Sequence, residues 1–144
     1  ITSLVSPTDN SIRPIFADGG SATAFELDEN SEEMMFRLGA KGEAFKAIHV
    51  PHGGFRFPTS EQSLEKKEIS EGIVRNACQL SMNGQAVFAF GLSTVASEIN
   101  ELMKQARVSA DQLDFLVLHQ ANQFLNDAIS RKTGFSKEKT FAIL

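Results

Sequence analysis

The chain has little of what would mark several function classes. It carries a single cysteine, Cys78, in 144 residues. One thiol excludes an internal disulfide framework and suits a reducing compartment. No apolar run approaches the ~20 residues that a membrane-spanning helix needs, and no secretory signal pattern opens the sequence. The expected location is the cytoplasm. No lysine or arginine cluster stands out, and the formal net charge is −4. An acidic chain is a poor match for phosphate backbones, so no nucleic-acid partner is expected. The pair Lys66-Lys67 sits between Glu65 and Glu68 and reads as solvated surface. There are no internal repeats and no low-complexity tract.

What is present suffices for a packed core. Hydrophobic residues make up 42% of the chain, and its length fits one ordinary domain. Both ends read as cut. Ile1 stands where an initiator methionine would, and Thr140–Leu144 reads as a strand with nothing after it to close a fold. The expectation is a fragment of a larger protein.

Along the chain, Arg13–Ala17 is a short apolar run and Asp18-Gly19-Gly20 reads as a tight turn. Ser21–Leu27, Met34–Leu38 and Lys46–Val50 are strand candidates, with an acidic loop from Asp28 to Glu33. Residues 51–59, with two prolines and Gly53-Gly54, are irregular. The charged stretch from Glu61 to Glu71 reads as a surface loop or short helix.

The clearest helix spans about Gly84 to Ala106. Phe88, Leu92, Val95, Ile99, Leu102 and Met103 recur at three- and four-residue steps, with Asn83 as a natural cap. Gly84 and Gly91 lower helix propensity, which points to close contacts there. Ser109 is placed to cap a single turn before the apolar run 113–118. Asn122 caps the next helix and Gly134 ends it in a left-handed conformation. Strands alternating with amphipathic helices define an α/β chain.

Four residues carry the chemistry: His119-Gln120-Ala121-Asn122. An imidazole between a strand end and a helix N-terminus is well placed to act on a substrate carbonyl. The alternative for His119 is a core histidine satisfied by a neighbouring carbonyl. His49 and His52 bracket Pro51 and would complete a three-histidine metal site with His119, but no carboxylate or thiolate sits at ligand spacing, and no metal is expected. Cys78 reads as a small buried hydrophobe rather than a nucleophile. Asp18–Ala22 lacks the spacing of a phosphate loop.

Taken in order, these segments resemble β-ketoacyl-[acyl-carrier-protein] synthase III. The His119–Asn122 motif resembles that family's histidine motif, Leu80–Phe88 the segment opening its long helix, Phe16–Ala22 its glycine-rich turn, and Pro7-Thr8-Asp9 the lead-in to that turn. The resemblance implies a thiolase-like fold, layered α-β-α-β-α and built from two similar halves. Residues 1–30 would end the N-terminal half, 31–82 form the connecting and entrance region, and 83–144 begin the C-terminal half.

It also implies decarboxylative condensation of an acyl-CoA with malonyl-[acyl-carrier-protein] in fatty acid biosynthesis. The implied catalytic residue is His119, and the implied substrate-binding residues are Asn122, Gly84, Gln85 and Phe88. The implied partners are the acyl carrier protein and a second copy of the same chain. Coenzyme A enters as a thioester substrate, and no cofactor is expected. The family's nucleophilic cysteine and active-site asparagine would lie before Ile1 and after Leu144, so this chain alone is expected to be inactive. Cys78 does not match the nucleophile, and Phe124 stands where many members carry a basic residue linked to carrier docking. Two other readings stay open: a non-catalytic thiolase-like partner subunit, and a related enzyme of polyketide or other secondary metabolism.

Overall fold

A computed structural model describes residues 1–31 and 33–143. Glu32, in the expected acidic loop, and Leu144, at the end of the expected terminal strand, lie outside the described residues. The chain forms two compact units. One comprises residues 1–29 and 41–84, the other residues 30–40 and 85–144.

In the first unit, β1 (Ile48–His49) pairs antiparallel with β4 (Ser81–Met82), Ile48 opposite Met82. A hairpin joins β2 (Lys67–Ser70) to β3 (Ile73–Arg75), with a bulge between Glu68 and Ser70. Its turn holds Gly72 at φ +73°, a conformation that glycine adopts without steric cost. One helical turn, α1 (Glu61–Leu64), starts at Ser60, where Ser60 and Ser63 side chains each bond the other's backbone N–H. Ile12 and Leu80 are buried in this unit together with Asp9. Burying a carboxylate is costly unless it is paired, and the Arg75 guanidinium lies 3.4 Å from Asp9.

The second unit contains a parallel β-α-β element. β5 (Leu116–Val117) pairs parallel with β6 (Thr140–Phe141), Leu116 opposite Thr140 and Val117 opposite Phe141. Parallel strands need a crossover, and α4 (Gln123–Thr133) supplies it. Before β5 the chain is helical from Gly84 to Ala106: α2 (Gly84–Phe90), one π-helical turn at Gly91–Val95, and α3 (Ala96–Ala106). Ala96, Leu116, Ile129 and Phe135 are the buried apolar residues here.

Two side-chain hydrogen bonds link the long helical stretch to α4. Lys132 Nζ donates to Leu92 O at 2.9 Å, and Asn100 Nδ2 donates to Lys132 O at 3.4 Å. Gly91 has its close contact: a Cβ built there would meet Leu125 Cδ2 at 3.0 Å. Gly84 has none, since a Cβ there meets nothing within 4 Å. The expected single turn after Ser109 is present at Ala110–Gln112, and Gln112 Oε1 accepts from the Ser109 N–H at 2.9 Å. Lys139 Nζ donates to Asp111 O and Leu113 O, both at 2.8 Å, tying the approach of β6 to that of β5.

Several expected elements are absent. Ser21–Leu27 and Met34–Leu38 form no strand, and nearly all their large apolar side chains are exposed. Their composition suits a ladder, but no described strand lies beside either to supply one. Gly19 and Gly20 therefore make no turn between strands, and neither has positive φ. Lys46–Val50 keeps only β1, because a 3₁₀ segment takes Gly42–Ala47. Residues 51–59 are irregular as expected, and the 61–71 stretch holds α1 followed by β2, a strand where only a loop or short helix was expected.

Candidate active site

The segment between β5 and α4 presents the candidate chemistry. β5 ends at Val117, and His119 follows two residues later, exposed. A core histidine is thereby excluded. The chain turns at once, the Ala121 N–H donating to His119 O at 2.9 Å. Asn122 then caps α4: its Oδ1 accepts from the Leu125 N–H at 2.8 Å, and its own backbone is extended. The unpaired first-turn N–H groups of an eleven-residue helix thus point back toward the loop that holds His119. Such a terminus favours negative charge, as does an imidazole N–H.

Phe88, in α2, stacks on Phe124, in the first turn of α4, with ring centroids 5.9 Å apart and planes inclined by 29°. Phe88 is half-buried, whereas Phe124 is 64% exposed. The apolar phenyl at position 124 is thus half of an aromatic pair that joins the two helices. Gln85 is exposed on the first turn of α2, and Gly84 is exposed at its start.

Two structural roles here have no counterpart in the sequence reading, although Gln120 belongs to the motif. Gln120 binds the chain on both sides of the histidine loop, and Lys139 binds three carbonyls before β5. Neither role has a local pattern to mark it, because Phe141 and Ile143, which Gln120 binds, and all three carbonyls that Lys139 binds lie more than twenty residues away.

The other histidines serve elsewhere. His52 packs against Phe57 at 5.5 Å between centroids, and His49 meets Phe45 edge-on at 6.3 Å. Among the described residues, no three His, Cys, Asp or Glu side chains gather where a metal ion could be held. Cys78 is only half-buried, contrary to expectation, and its Sγ lies 3.4 Å from Ser63 Oγ.

Comparison with known proteins fits this geometry. No protein-family model matches the chain. A solved 3-oxoacyl-(acyl-carrier-protein) synthase III superposes on 97% of the chain with a TM-score of 0.79 and 32% identity, and 42% of that protein is covered. The fold is therefore thiolase-like α/β. Within that fold the chain is a relative of the β-ketoacyl-[acyl-carrier-protein] synthase III proteins along its whole length. The protein of that name from Streptococcus sanguinis (strain SK36) is 30% identical over 142 residues, 96% of this chain. The one from Natranaerobius thermophilus is 29% identical over 148 residues, all of this chain. The chain spans about two fifths of the length of the curated relatives it matches, 40% and 42% in these two.

Proposed function

We propose that this chain is the part of a 3-oxoacyl-[acyl-carrier-protein] synthase III that supplies the histidine of its condensation site. The whole protein would condense an acyl-CoA with malonyl-[acyl-carrier-protein] in the first steps of fatty acid synthesis. The observation that carries this reading is the exposed His119 between a parallel strand and the N-terminus of a capped helix, in a chain related to these synthases from end to end. The partners are the acyl carrier protein, its malonyl thioester and a second copy of the protein. Coenzyme A acts as a thioester substrate, and the setting is cytoplasmic.

The chemistry asks for donors rather than a base. Loss of carbon dioxide from a malonyl thioester leaves the electron pair on carbon and builds negative charge on the thioester oxygen. No C–H proton has to be removed. A neutral His119 with a protonated ring nitrogen aimed at that oxygen stabilises the charge as it forms. Asn122, Gly84, Gln85 and Phe88 lie on the segments that flank the thioester arm in this reading. The aromatic Phe124, stacked on Phe88, stands where a basic docking residue would, so this spot offers the carrier no positive charge.

The test is His119→Ala in the whole protein. Losing one oxyanion donor costs on the order of 10²–10³ in rate. Condensation should fall by that factor while acylation from acyl-CoA stays measurable. Near-normal condensation would remove His119 from the mechanism. Absence of both acylation and condensation in the unmodified protein would instead favour a non-catalytic partner-subunit role.

A further inference from the structure

The parallel ladder between β5 and β6 has well-defined register. Leu116 faces Thr140 and Val117 faces Phe141, so the next rung would set Leu118 opposite Ala142. The β6 chain continues past that pairing to Ile143, beside the segment where β5 gives way to the histidine loop.

There the side chain of Gln120 bonds the backbone of the β6 end. Its Nε2 donates to Phe141 O at 3.2 Å, and its Oε1 accepts from the Ile143 N–H at 2.9 Å. The same Nε2 donates to Leu118 O at 2.9 Å, satisfying the carbonyl left over where the main chain departs. Both Nε2 hydrogens are used, and the oxygen accepts one bond. The carboxamide thus offers both a donor and an acceptor, as a peptide group does, and ties the end of β6 to the histidine loop.

We propose that Gln120 is a positioning residue for His119. The β5 chain has to leave the sheet after Leu118 to present the imidazole and start α4. Gln120 lets it leave without opening the ladder, and holds residues 141–143 against the histidine loop. His119 is thereby fixed between two anchored neighbours, the Leu118 carbonyl and the Gln120 side chain. The role rests on the reading of His119 as the charge-stabilising donor, but the geometry that it predicts is measurable without activity.

The experiment compares Gln120→Met and Gln120→Glu in the whole protein by NMR. Methionine keeps the length and apolar volume and loses all three bonds. Glutamate keeps the acceptor for Ile143 and, when ionised, loses both donors. Amide exchange at Ile143 should quicken at least tenfold in Gln120→Met and far less in Gln120→Glu. The His119 ring signals should move in both variants. The Leu125 amide, held by Asn122 at the other side of the loop, should keep its exchange rate. Unchanged Ile143 exchange in Gln120→Met, or His119 signals that stay put in both variants, would overturn the proposal. So would equal quickening at Ile143 and Leu125 in both variants, which would mark general loosening rather than a specific tie. Condensation assays on His119→Ala report on the proposed function alone, so failure of one reading is distinguishable from failure of the other.

Discussion

At single residues, two helix ends make opposite predictions. Asn122 caps α4 with one bond from its Oδ1 to the Leu125 N–H. Replacing such a cap by alanine costs about 0.5–2 kcal/mol, whereas serine or aspartate preserves the acceptor. Asn122→Ala should therefore lower the urea midpoint, and Asn122→Asp should hold it. Arg107 ends α3 in the left-handed region, at φ +56°. It is the one non-glycine residue with positive φ among the described residues. A side chain pays roughly 1 kcal/mol or more for that conformation, and glycine pays little. Arg107→Gly should raise stability by about 0.5–1 kcal/mol in denaturant unfolding, and an unchanged midpoint would show that the Arg107 side chain offsets the strain. Gly134, at φ +79° after α4, already follows the rule that Arg107 breaks.

Among the elements, legibility in the sequence tracked how local the determinants are. The helix from Gly84 to Ala106 was readable from its periodicity, and α4 (Gln123–Thr133) from its Asn122 cap and Gly134 terminator, because these signals lie within or beside the segment. His119 at a strand end was readable for the same reason. The strands expected at Ser21–Leu27 and Met34–Leu38 failed because a strand is a property of two segments, and composition names only one. The structural role of Gln120 escaped notice on like grounds, its distant partners being Phe141 and Ile143. The π-helical turn at Gly91–Val95 is not a periodicity feature either. Its glycine admits Leu125 of α4, whose Cδ atoms would lie 3.0 and 3.2 Å from an added Cβ. Gly91→Leu should therefore force α4 away and cost about 1–3 kcal/mol. Gly84→Ala, with open space around its Cβ, is the matched control and should leave stability unchanged or slightly improved. If the control keeps its stability but binds coenzyme A thioesters more weakly in the whole protein, the glycine serves the ligand and not the helix.

At the scale of the whole molecule, apolar side chains are distributed unlike those of a self-sufficient monomer. Six apolar residues are buried, while twenty-one large ones are exposed, among the described residues. Scattered exposed apolar residues are ordinary in soluble proteins. Here they cluster on three stretches: Phe25 and Leu27 are 77% and 93% exposed, Met34, Phe36 and Leu38 are 68%, 76% and 93%, and Phe141 and Ile143 are 50% and 76%. Fully burying one such side chain is worth about 1.5–3 kcal/mol, so covering even a few outweighs ordinary surface repulsion. The net charge of −4 opposes association only weakly at physiological salt, where exposed charges are screened beyond about 8 Å. The 144-residue chain on its own should therefore self-associate at micromolar concentration, and more strongly as salt rises. Sedimentation velocity across a concentration series measures this directly. Phe36→Ser and Leu38→Ser together should shift the distribution toward monomer if the 34–38 segment contributes. A single sharp monomer peak at all concentrations, in low and high salt, would mean that these segments fold back onto the chain in solution and that its core is larger than the six buried residues.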